Sequence, residues 1–113
     1  MAFATATKNA AVDAIVALGN WISLHTADPG TTGASEATGG SYARQQSTFG
    51  ASSGGVATGS EVTFAGLIAA AYTHFGQWSA SSAGTFRHGN VLTPSMTLGG
   101  TGTLKVTPSI TFP

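Results

Sequence analysis

The sequence predicts a mainly β domain: an antiparallel β-sandwich or jelly-roll-like fold with one short N-terminal helix. Three observations predict it. Short runs of alternating side chains recur along most of the chain, as strands with one buried face require. Turn formers separate these runs at close spacing: Asp28-Pro29-Gly30, Gly39-Gly40, Ser53-Gly54-Gly55, Ser81-Ser82 and Gly99-Gly100. That punctuation belongs to sandwiches and jelly rolls. Only one stretch has helical spacing and it comes first, which disfavours a parallel α/β sheet. A chain of 113 residues fits a single domain, 1–113, with a modest core and no covalent staples.

The elements follow in order. Val12, Ile15, Val16 and Gly19 form one apolar stripe, so a helix is expected over 8–18, capped by Thr5 or Thr7 and stopped at Gly19-Asn20. A helix this short is marginal alone and needs something to lie on; residues 1–20 are read as a helical docking segment. "WISLHT" then alternates, with Ile22 and Leu24 on one face and Trp21, Ser23 and His25 on the other. Further strands are expected in "SYARQQSTF", "EVTF", "AAYTHFGQW", "TFRHG", "NVLTPSMTL", "GTLKVTP" and "SITF". In the last three, Leu92, Met96 and Leu98 share one face, Leu104 and Val106 face inward, and Ile110 and Phe112 close the chain. Pro94 and Pro108 mark edges or breaks, because proline donates nothing to a ladder.

Composition narrows the function. There is no cysteine, which excludes disulfides and thiolate metal sites. No stretch approaches the roughly 20 apolar residues that cross a bilayer, and no signal peptide is read at the N-terminus. Charged residues are 7% of the chain and balance to zero, against about 25% in ordinary soluble domains. A basic footprint for nucleic acid is missing. A surface of glycine, alanine, serine and threonine is easily desolvated, as interface cores are. It suits a symmetric homo-oligomer, a trimer for instance, although a low-charge monomer is the alternative.

The stretch "SLHTADPGTTGASEATGGSYARQ" holds the ingredients of an active site. The usual signatures are nevertheless missing. His25, His74 and His88 lack ligand spacing of the HExxH kind, so no metal or other cofactor is expected. No GxSxG elbow is present, and Asp13, Asp28, Glu36 and Glu61 are poorly placed to share a cleft. "GGTGTLK" runs into a strand where a phosphate loop needs a helix. Trp21 and Trp78 are expected in the core, while Tyr42 or Tyr72 remains open to a glycan. The stretch is better read as a long loop. Asp28-Pro29-Gly30 forms its turn, and Arg44 pairs with Asp28 or Glu36 to staple it.

The run "LHTADPGTTGASEATGGSYARQ", followed by "TFGAS", "THFGQW" and "GTF", resembles a family of small virion proteins of tailed bacteriophages, of the minor tail or tail fibre type. The likeness spans residues 21–86 and is strongest over 24–44. It implies a non-enzymatic building block that resides in the virion, is made in the host cytoplasm and contacts other virion proteins. It implies no catalytic residues. The matched positions His25, Asp28, Pro29, Gly30, Glu36, Gly39, Gly40, Tyr42 and Arg44 are loop or interface candidates. Three roles stay open: a tail-tip, baseplate or fibre subunit; a capsid decoration protein; and an adhesion module for host-surface glycans.

Overall fold

The structure is a computed structural model that describes residues 2–112. It is mainly β, with antiparallel sheets and one short helix. The helix α1 covers Thr5–Val16, starting and ending earlier than the expected 8–18. Ala4 occupies the N-cap with no side-chain bond, so neither Thr5 nor Thr7 is the cap. Ala17 and Leu18 close the end through the carbonyls of Asp13 and Ile15.

The strands are β1 (Trp21–His25), β2 (Gln45–Gln46), β3 (Val56–Thr58), β4 (Val62–Leu67), β5 (Ala70–Trp78), β6 (Phe86–Leu98), β7 (Gly102–Val106) and β8 (Ser109–Thr111). One sheet has the order β2-β1-β5-β6, and two ribbons pair β3 with β8 and β4 with β7. Three elements depart from expectation. "SYARQQSTF" contributes only the two residues of β2 to a ladder. β3 has just one buried residue, Ala57, too little for a period to show. "TFRHG" and "NVLTPSMTL" run as one strand, β6. Pro94 is accommodated there because β6 is an edge strand and bulges. Register passes from His74↔Val91 to Tyr72↔Met96, leaving Leu92–Ser95 opposite Thr73 alone. That bulge also breaks the alternation that put Met96 on one face with Leu92: Met96 is 42% exposed while Leu92 is buried. Leu92, Leu104, Val106 and Ile110 are buried.

Two cores result. The larger lies between the four-stranded sheet and the β4–β7 ribbon, where Ile22, Leu24, Phe64, Tyr72, Phe75 and Leu104 meet. Each such side chain contributes about 1.5–3 kcal/mol on burial. The smaller joins α1 to the β3–β8 ribbon through Val12, Ala57 and Ile110. The helix therefore lays its apolar stripe on a ribbon of its own chain.

Gln77 fastens the helix to the sheet. It is fully buried, and its Nε2 donates to the carbonyls of Ile15 at 2.8 Å and Gly19 at 2.6 Å. The Ile15 carbonyl belongs to the last turn, where the amide partner four residues on is lost and Leu18 N–H reaches it instead, and the Gly19 carbonyl lies just past the helix. Gln77→Ala should cost about 1–2 kcal/mol and should speed amide exchange in α1 more than in β4 or β7. Equal exchange in all three would show that Gln77 does not hold the helix.

Candidate functional site

Residues 26–44 leave β1, cross the sheet and return. The turn is an Asx turn: Gly30 N–H donates to Asp28 Oδ1 at 2.8 Å, and Gly30 supplies φ 60°. The Pro29 carbonyl accepts from Gly33 and Ala34 at 3.0 and 3.1 Å. The chain then runs back beside β1, with Thr26 N–H on Ser35 O, Ala37 N–H on Leu24 O and His25 opposite Glu36. Farther on, Ser41 N–H donates to Gly66 O at 2.9 Å.

The loop lies on the sheet face that the alternation of β1 assigns to Ser23 and His25. Both faces of β1 are therefore buried. Glycines make room for this second layer. Gly76 and Gly89 are cross-strand neighbours. A Cβ at Gly89 would stand 2.5 Å from Pro29 Cγ, and one at Gly33 would stand 2.6 Å from the Trp78 ring. A glycine inside a strand often marks close approach of another backbone. "HFG" and "RHG" were thus the available sequence signal for this layer.

Under the loop, polar side chains form two linked networks. A carbonyl only accepts, so His25 Nδ1 carries the proton it donates to Ala34 O at 2.8 Å. His25 Nε2 then accepts from Ser23 Oγ at 2.7 Å, and Ser23 Oγ accepts from Trp78 Nε1 at 2.8 Å. The second network centres on Glu36. Arg44 Nε and Nη2 each donate to its carboxylate at 2.8 Å. Tyr42 Oη donates to it at 2.7 Å and accepts from Leu24 N–H at 3.2 Å. Arg44 Nη1 reaches the carbonyls of Ala80 and Ala83 at 3.0 and 2.8 Å. The guanidinium also stacks on Trp78, 3.6 Å from the ring centroid. Of the two carboxylates considered for Arg44, Glu36 takes it and Asp28 does not.

Ser23 and His25 have the distance of a nucleophile and its base. Both are 0% exposed, however, and the Ser23 hydroxyl already donates to His25 and accepts from Trp78, so a substrate cannot reach Oγ in this conformation. Burial pushes the His25 imidazole below its usual pKa, outweighing the Ala34 carbonyl and Glu36. Burial opposes ionising Glu36, but the hydrogen bonds from Arg44 and then Tyr42 prevail and hold its carboxyl below the usual range. Burial, then the bond to Glu36, raises Tyr42 far above an ordinary phenol. Every one of these charge states favours the closed network.

Glu36 has a consequence for acid stability. Its native pKa lies below the unfolded value near 4.5, so its contribution is complete above that value and disappears as pH falls through the native one. Urea midpoints of Glu36→Gln should therefore show a shallower loss below pH 4.5 than wild type. Parallel profiles would contradict the pairing.

Of the sequence-derived candidates, His25, Glu36, Tyr42 and Arg44 converge in the two networks, and Pro29 is buried against Gly89. Asp28 and Gly30 are exposed in the turn and stand apart from it. Ser23, Trp78 and the three glycines belong to the site but were absent from that set. Trp78 is buried as expected, while Trp21 is half-buried. Among the described residues, no group of three or more His, Asp or Glu side chains is arranged to hold a metal ion, and no helix is long and apolar enough to cross a membrane. A family model described as podophage GP4 fiber I protein gp80 matches residues 2–110. No curated protein and no solved structure matches the chain.

Proposed function

The chain belongs to the podophage GP4 fiber I protein gp80 family and is thus a virion component; on that footing we propose that it is a non-enzymatic subunit of the tail fibre apparatus, acting through protein–protein contacts. One observation carries this reading beyond the family. The chemically capable residues of the loop, His25, Glu36, Tyr42 and Arg44, bond to one another and to the sheet. The exposed residues of the loop are small and carry a single charge, Asp28. Such a surface suits a fixed, dry contact with a neighbouring subunit. The outer face of α1 offers a second contact. With so few charges on the whole chain, a symmetric homo-oligomer is the natural assembly.

Quantitative mass spectrometry of purified particles tests this. The chain should be present at a small, fixed copy number relative to the major capsid protein, and gold-labelled antibody should mark the tail. Hundreds of copies would place it on the head instead. Absence from particles would sink the structural reading, and saturable binding of a host glycan by the isolated chain would favour adhesion.

A further inference from the structure

We infer that His25 is a proton-operated latch on the 26–44 loop: protonating Nε2 removes the acceptor of the buried Ser23 hydroxyl and loosens the loop from the sheet. This rests on hydrogen-bond geometry and is independent of where the protein sits in the virion.

In the neutral state every donor has an acceptor. Trp78 Nε1–H donates to Ser23, Ser23 O–H to His25 Nε2, and His25 Nδ1–H to Ala34 O. The last bond ties the imidazole to the loop itself. A proton added at Nε2 faces the Ser23 hydroxyl, whose own hydrogen must then turn away. Ser23 is 0% exposed and opposite Gly76, so that hydrogen cannot turn to bulk solvent and meets no side chain across the ladder. A buried donor left without an acceptor is destabilising.

The charged and titratable groups around His25 do not repair this. The loop supplies Glu36, which favours the imidazolium, and Arg44, which opposes it. Both oxygens of Glu36 are already engaged by Arg44 and Tyr42. From β5, His74 faces His25 in register and opposes a second charge. From β6, Phe86 presents its ring edge-on at 6.2 Å. Opening the loop lets water reach the ring and restores ordinary basicity.

Closed and open states therefore differ by one proton. The closed state binds it more weakly, so the closed loop is fully favoured above the ordinary histidine value of 6.5 and loses ground as pH falls from there. For one proton the opening constant rises by at most about tenfold per pH unit. Glu36 stays ionised through this window, because its native pKa lies below 4.5. His88 is also pushed down by burial. It lies in register with Gln77 on the core face, so its titration weakens the whole domain and not the loop selectively.

Amide exchange of the full chain between pH 7.5 and 5.5, expressed as protection factors, tests the latch. The hydrogen-bonded amides of Thr26, Gly33, Ala34 and Ala37 should lose protection as pH falls below 6.5, by no more than about tenfold per unit. The β4–β7 amides serve as the internal reference and should change less. In His25→Asn the side-chain amide can still donate to Ala34 O but does not titrate, so the excess slope should vanish. A wild-type loop whose protection is independent of pH, or a slope that persists in His25→Asn, would overturn the latch. Should that variant not fold, the wild-type imidazole resonances decide. Protonation accompanied by loop opening supports the latch, and a midpoint at or above 6.5 with the loop still protected overturns it.

Discussion

Replacing Arg44 with alanine should lower the unfolding free energy by about 3–4 kcal/mol, the usual cost of removing one partner from a buried ion pair. The Arg44 side chain is only 8% exposed and that of Glu36 only 23%, so water compensates poorly. The variant loses a bidentate pair, two carbonyl contacts to residues 80 and 83, and the stack on Trp78. It also leaves the Glu36 carboxylate with Tyr42 as its remaining side-chain donor. Domains of this size are stable by about 5–15 kcal/mol, so the loss is a large fraction of the total. Arg44→Lys should recover little, because one ammonium cannot reproduce a planar fork. Urea unfolding measures both variants. An Arg44→Ala protein that melts like wild type would remove the staple from the account.

Gly76→Ala should cost about 2–3 kcal/mol, at the upper end of the usual range for overpacking. A Cβ there would stand 2.6 Å from Ser23 Oγ, 2.8 Å from His25 Nε2 and 2.9 Å from a Phe86 ring carbon. None of the three is free to move. Ser23 and His25 bond to each other, and Phe86 packs edge-on against Trp78 at 5.2 Å. The single added methyl therefore displaces the layer that carries the loop. Urea unfolding should show the loss, with exchange increased at Gly33 and Ala34. A variant as stable as wild type would mean that the loop does not need the glycine platform.

How much of this was legible follows from the residues themselves. β5 was read at its observed bounds because "AAYTHFGQW" is long and ends in tryptophan. The faces of β1 were also legible, since Ile22 and Leu24 alternate with Ser23 and His25. The meaning of the second face was not. Alternation says which side chains share a face, but not whether water or a loop covers it. Glu36 was within reach of sequence reasoning because only four acidic residues compete for Arg44. The Trp78–Ser23 bond was not, because 55 residues separate the partners. Only the β1–β5 register brings them together. Gly89-Asn90 read as a break between strands, when Gly89 instead clears space for Pro29.

The central claim is that the polar residues of "LHTADPGTTGASEATGGSYAR" hold a loop in one shape rather than perform chemistry. A double-mutant cycle on Glu36→Gln and Arg44→Met, read by urea unfolding, tests it most directly. Coupling between groups in one buried network runs to about 0.5–3 kcal/mol. The bidentate geometry places this pair in the upper half of that range, with the double variant losing clearly less than the two single losses combined. Additive losses, with coupling below about 0.5 kcal/mol, would contradict the claim.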